Sequence, residues 1–187
     1  MEDTTVITKD YILLADLNGN VALSTSHTES DRYLAPYFEW GFFGSKPVAD
    51  GDPTRTVFLS KFEAIYLREI GLLSVLPMKC TLSGEREHRV YAVYKQLRDN
   101  KWVVRSGCQY GGDFLLYPES GPGQQHAPYI VLVVDDHLHA PSGTIISGLV
   151  RAAQGAKKQL VISCPRTKKF HLIDRWIPEL ERMNKNG

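Results

Sequence analysis

Tyr117 and His126 stand at the two ends of the stretch YPESGPGQQH, and both side chains can move a proton. Tyr117 closes the apolar run FLLY, while His126 follows a loop rich in glycine and proline. A phenol and an imidazole meeting beside such a loop form an acid and base pair, because histidine changes protonation near neutral pH. The meeting requires residues 114–117 and 128–134 to be consecutive antiparallel strands. The loop then returns the chain so that the two residues face each other, with cross-strand β-carbons within about 5 Å. The same residues also read as a tyrosine that ends one strand and a histidine that starts the next.

The elements that must hold this pair can be read along the chain. Tyr11 to Ala15 and Val21 to Thr25 flank Asn18-Gly19, a dipeptide suited to a tight hairpin. Residues 33–43, YLAPYFEWGFF, are aromatic and apolar, and read as core. Ser60 with Glu63 forms a capping-box pattern for a helix with Phe62, Ile65, Tyr66 and Ile70 on its apolar face, ended by Gly71. A second helix is expected from about Glu85 to Asp99, with Val90, Val93, Tyr94 and Leu97 on one face. Short strands follow at Trp102 to Arg105, Phe114 to Tyr117, Pro128 to Val134, Leu160 to Cys164 and Phe170 to Asp174. A helix from about Thr144 to Ala156 interrupts them, with Ile145, Ile146, Leu149, Val150 and Ala153 at helical spacing. The expected fold is α/β (α+β): a small N-terminal α/β domain at 1–80 and a C-terminal mixed-sheet domain at 84–187, joined by LSGE.

Composition and charge narrow the classes. The 187 residues are 43% hydrophobic and 23% charged, as in an ordinary soluble globular chain. The acidic start lacks an apolar signal region, and the longest apolar run, Tyr129 to Val134, is too short to cross a bilayer. A cytoplasmic protein is expected, nuclear if the source is eukaryotic. Cys80, Cys108 and Cys164 are widely spaced and suggest neither a zinc ribbon nor a disulfide framework. Charge is uneven: residues 151–187 carry 9 Lys/Arg against 3 Asp/Glu, a net +6. Such a segment suits either a polyanion or a plain solvated face. DDHLH, residues 135–139, has two carboxylates and an H-x-H but no third ligand type at set spacing, so no metal and no cofactor are expected. Gly111-Gly112 lacks the fingerprint of a phosphate-binding loop.

Three linked segments, VYKQLRDNKWVVRSGCQYGGDFLLYP, QQHAPYIV and LVRAAQGAKKQLVIS, resemble the catalytic subunits of the tRNA-splicing endonucleases of archaea and eukaryotes. The resemblance is good over about residues 85–165, and FEAIYLREIGLL is similar to the family's N-terminal domain. Residues 1–56 match poorly. The stretch about 44–56 looks inserted, somewhat as in crenarchaeal members. The resemblance implies a catalytic tyrosine, histidine and lysine, which fall on Tyr117, His126 and Lys158, with Lys157 as the solvated neighbour. It also implies two arginines that hold a flipped bulge base: Arg151, and Arg175 on a weaker alignment. Both also read as ordinary surface arginines. Lys46, in the inserted loop, is a candidate RNA contact that would widen the range of bulged substrates, or simply a solvated lysine.

These groups suffice to cut RNA without a metal. The ribose 2′-hydroxyl must lose a proton, the departing 5′-oxygen must gain one, and the phosphoryl charge must be offset. His126 suits the acid, Lys158 the charge, and Tyr117 the base, although a phenol with a pKa of about 10 needs nearby positive charge to serve. The expected activity is cleavage of precursor tRNA at bulge-helix-bulge intron junctions, leaving 2′,3′-cyclic phosphate and 5′-hydroxyl ends. The expected partners are the RNA and homologous subunits, in a heterotetramer of two cleaving and two structural chains, or else a homotetramer. DDHLH would then be an acidic loop that docks on a partner subunit. A noncatalytic subunit that holds RNA while another chain cuts is the alternative. A restriction-type DNA nuclease would need clustered carboxylates and a divalent ion.

Overall fold

Ser60 sets where the first helix begins. Its hydroxyl accepts from the Glu63 N–H at 3.3 Å, and the Glu63 carboxylate accepts from the Ser60 N–H at 2.7 Å, the reciprocal pair expected of a capping box. The computed structural model describes residues 11–15, 21–25, 56–71, 73, 80–118, 126–134 and 141–174. Over these the elements are β1 (Tyr11–Ala15), β2 (Val21–Thr25), β3 (Thr56–Leu59), α1 (Lys61–Glu69), α2 (Gly84–Asp99), β4 (Val103–Ser106), β5 (Phe114–Tyr117), β6 (Tyr129–Val133), α3 (Gly143–Gly155), β7 (Gln159–Cys164) and β8 (Lys169–Ile173). The fold class is α+β, as expected. The aromatic run 33–43, residues 44–55 of the inserted stretch, and 135–139 lie outside the described residues.

By packing, the chain divides into two units, the described residues of Met1–Val104 with Tyr117–His126, and those of Arg105–Leu116 with Ala127–Gly187. In the first, β1, β2 and β3 form an antiparallel sheet, with Ala15 opposite Val21 across the hairpin. α1 buries Glu63, Ala64, Tyr66 and Leu67, so its inward face is rotated from the expected one: Phe62 and Ile65 are half-buried, and Ile70 is exposed. Phe62 instead leans its ring on α2, 5.6 Å from Tyr91 and 5.8 Å from Tyr94 between centroids. All four apolar residues expected on α2 are buried. Burial, then the Glu69 carboxylate, pushes the Tyr91 hydroxyl far above the usual phenol range, so it remains a neutral part of the core. Polar ties close the helix pair: Tyr66 Oη donates to Asp99 at 3.0 Å, and Lys61 Nζ meets Glu87 at 2.7 Å.

The second sheet has the order β4-β5-β6-β7-β8. β5 runs antiparallel to β6, β6 parallel to β7, and β7 antiparallel to β8. The parallel pair needs a crossover, which α3 supplies. α3 is held through its C-terminal half, where Val150 and Ala153 are buried. Ile145, expected on the inward face, is 55% exposed because it sits in the first turn, ahead of that contact. Cys80 and Cys164 are buried, whereas Cys108 is exposed. No helix among the described residues is long and apolar enough to cross a membrane.

The Lys61–Glu87 bond makes stability depend on pH. Burial pushes the Glu87 carboxyl up, but hydrogen bonds from Lys61 and Ser83 outweigh it and leave the group below the ordinary carboxylate range. A depressed carboxylate stabilises the fold above its unfolded pKa of about 4.3, and that stability is lost as pH falls through the lower folded value. Glu87→Gln should therefore cost about 0.5–1 kcal/mol at pH 7 in urea melts, discounted for solvent screening, and the difference from wild type should close below pH 4. A difference that persists unchanged into acid would contradict this account of the pair.

Candidate active site

α3 ends in a motif that fixes the lysine just beyond it. The Lys157 N–H donates to Gln154 O at 2.9 Å and the Lys158 N–H to Ala153 O at 2.8 Å, the two crossed bonds of a Schellman turn. Lys157 takes the left-handed position with φ of 56°, a place where glycine is usual. The chain thereby turns sharply between Lys157 and Lys158: Lys157 is exposed, whereas Lys158 is 6% exposed. Lys158 Nζ donates to Ala127 O at 2.8 Å and lies 5.3 Å from the centroid of the Tyr110 ring. Among the described residues no carboxylate pairs with it.

The strand ladder defines what surrounds this lysine. Phe114, Leu115 and Leu116 of β5 stand opposite Val131, Ile130 and Tyr129 of β6, and Tyr129 stands opposite Gln159 of β7. The Gln159 N–H also donates to Pro128 O at 2.9 Å. Tyr117 is the half-buried last residue of β5, and His126 is exposed, one residue before buried Ala127. The paired register of β5 and β6 ends with Leu116 opposite Tyr129, before either Tyr117 or His126 is reached.

Arg151 is exposed on α3. Arg175 and Lys46 lie outside the described residues. Among the described residues, no group of three His, Cys, Asp or Glu side chains is arranged to hold a metal ion.

Comparison with known proteins places the chain in a family. The family model for the tRNA intron endonuclease, catalytic C-terminal domain, matches residues 88–171. The tRNA-splicing endonuclease of Saccharolobus solfataricus is 35% identical over 182 residues, covering 86% of this chain and 96% of the relative. The chain belongs to the tRNA-splicing endonuclease family. Its namesakes in Sulfurisphaera tokodaii and Sulfolobus acidocaldarius are 32% and 30% identical, covering 75% and 67% of this chain and 87% and 77% of their own. These relatives are crenarchaeal, in keeping with the resemblance drawn from the sequence. The matched segment contains Tyr117, His126, Arg151 and Lys158, and excludes Lys46 and Arg175.

Within this family domain, YGGDF is a structural device ahead of β5. Cys108–Tyr110 form a single 3₁₀ turn, and Gly111 follows with φ of 76°. A β-carbon on Gly107 would lie 2.8 Å from the Phe114 backbone, and one on Gly112 would lie 2.4 Å from Ile130 Cγ2. The Asp113 N–H donates to Val131 O at 2.8 Å, and its carboxylate accepts from the Val133 N–H at 2.7 Å. Asp113 thus ties β6 to the start of β5. Sequence reasoning missed Tyr110 as a partner of Lys158, since the two are joined only by the sheet and α3. The available signal was the aromatic residue that opens the motif.

Gly112→Ala should lower stability by about 1–3 kcal/mol, because the added methyl cannot clear Ile130 without moving β6. Asp113→Ala should cost about 1–3 kcal/mol by leaving the Val133 N–H without its acceptor. Urea midpoints of the two variants check this, and wild-type midpoints would contradict the geometry.

Proposed function

We propose that this chain is the cleaving subunit of a tRNA-splicing endonuclease, with Tyr117, His126 and Lys158 acting on one scissile phosphodiester. The observation that carries the reading is Lys158: a lysine ammonium turned inward, held by a backbone carbonyl, with no carboxylate partner among the described residues. A buried cation without an anion suits a site whose anion arrives with the substrate. The acceptor carbonyl belongs to Ala127, the residue after His126, and Tyr117 ends the strand paired to β6.

In this reading Tyr117 takes the proton of the ribose 2′-hydroxyl as that oxygen attacks the adjacent phosphorus. The bond from phosphorus to the 5′-oxygen breaks, and His126 gives that oxygen a proton. Lys158 offsets the charge on the phosphoryl oxygens. The products are a 2′,3′-cyclic phosphate and a 5′-hydroxyl, with atoms and protons balanced and no metal in the sequence of steps. The substrate is precursor tRNA at bulge-helix-bulge junctions, as the names of the crenarchaeal relatives suggest in part. Arg151 and Arg175 would grip a flipped bulge base at a neighbouring subunit's site, and Lys46 would touch RNA from the inserted loop. The assembly would be a heterotetramer with structural subunits. The domain limits 1–80 and 84–187 remain part of the same proposal.

His126→Ala, tested in the full assembly on a bulged RNA, should slow cleavage by about 10²–10⁴-fold while RNA binding persists. Wild-type ends should be cyclic phosphate and 5′-hydroxyl, in chelator as without it. Unchanged cutting by His126→Ala would instead make this chain the noncatalytic, RNA-holding subunit.

A further inference from the structure

We propose that Tyr110 is a positioning residue for Lys158, its ring holding the ammonium in place without neutralising it; this rests on the reading of Lys158 as the group that meets the scissile phosphate. Lys158 Nζ has two partners among the described residues: Ala127 O at 2.8 Å and the Tyr110 ring at 5.3 Å. Both are electrically neutral. The face of an aromatic ring attracts a cation through its quadrupole, and more strongly where water is thin, as at a residue 6% exposed. A carboxylate in the same place would hold the lysine as firmly, but it would cancel the charge that a phosphate needs and repel the phosphate itself. The ring and the carbonyl orient the cation and leave its net charge intact. An ammonium has three N–H donors, and the Ala127 carbonyl takes one.

The ring can play this part because both partners are anchored to α3. Lys158 is set by the bonds that end the helix, to Ala153 and from Lys157 to Gln154. Tyr110 is set by a 3₁₀ turn closed by its own N–H on Gly107 O at 2.9 Å and by the Gly111 N–H on Cys108 O at 3.0 Å. That turn lies against α3, where a β-carbon on Gly111 would come within 3.0 Å of Leu149 Cδ2. Gly107 and Gly112 press it onto the backbone of β5 and the side chain of Ile130, so neither side can drift.

The test uses the full chain in its assembly. Tyr110→Leu should lower kcat on a bulged RNA roughly tenfold with little change in KM, the size a partly desolvated cation–π contact supports. Tyr110→Phe should restore most of that rate, since the ring suffices. Replacing residue 110 with 3,4,5-trifluorophenylalanine, which keeps the ring's size but drains its face of charge, should lower kcat again. In lysine-labelled protein, the Lys158 ε-methylene protons should be shifted upfield by the ring, and the shift should vanish in Tyr110→Leu. A Lys158→Ala loss of cleavage combined with wild-type rates for the Leu and trifluoro variants would overturn the role of Tyr110 alone. Wild-type cleavage by Lys158→Ala would overturn the underlying reading and this role with it, while the methylene shift would still report whether the ring meets the lysine. Should the Leu variant fail to fold, the Phe and trifluoro pair decides.

Discussion

A lysine ammonium taken out of water, with no carboxylate beside it among the described residues, is the constraint on which the second unit depends. Removing such a cation from solvent costs on the order of several kcal/mol unless other groups replace the lost water. Here a backbone carbonyl and an aromatic ring do so in part. Each must be held rigidly, because a loosely placed dipole or ring would recover little of that energy. The parallel β6–β7 pair holds the carbonyl's end of β6, with Tyr129 opposite Gln159 and the Gln159 N–H on Pro128 O at 2.9 Å, one residue from Ala127. The glycine-flanked 3₁₀ turn fixes the ring.

The conformational cost of this arrangement is concentrated at the helix end. Lys157 occupies a left-handed backbone position that disfavours side chains with a β-carbon, and the strained step is what turns Lys158 inward while Lys157 stays in solvent. α2 ends the same way, with Lys101 at φ of 65° and the Trp102 N–H returned to Leu97 O at 3.1 Å. There the turn feeds β4, and the buried Arg98 of the last helical turn donates to Trp102 O at 3.1 Å. One local motif therefore serves connection at one helix and the inward placement of Lys158 at the other.

Local chemistry made much of this legible in the sequence. The Ser60–Glu63 box, the left-handed stop at Gly71, and the buried face of α2 follow from residues three or four apart, and the ends of the expected strands fell within a residue or so, whereas β3 was not expected at all. What failed was set by distant parts of the chain. The inward face of α1 is decided by where α2 lies, so Ile70 faces solvent and Leu67 does not. The β5–β6 pairing ends at Leu116 and Tyr129, a property of the whole ladder, and so stops short of the expected meeting of Tyr117 and His126. The Tyr110–Lys158 contact needs the sheet and α3 together, and no spacing rule reports it. Lys158 itself was legible only through the family resemblance, because nothing in its neighbourhood distinguishes it from Lys157.

The account stands on Lys158 meeting the substrate's phosphate. The most direct measurement is the structure of the assembly bound to a bulged RNA whose cleavage-site ribose lacks its 2′-hydroxyl, so that it cannot be cut. The account predicts Lys158 Nζ within about 3 Å of a nonbridging oxygen of the scissile phosphate, still over the Tyr110 ring, with Tyr117 toward the 2′ position and His126 toward the departing oxygen. A phosphate seated elsewhere, with Lys158 still bound only to Ala127 and Tyr110, would contradict it.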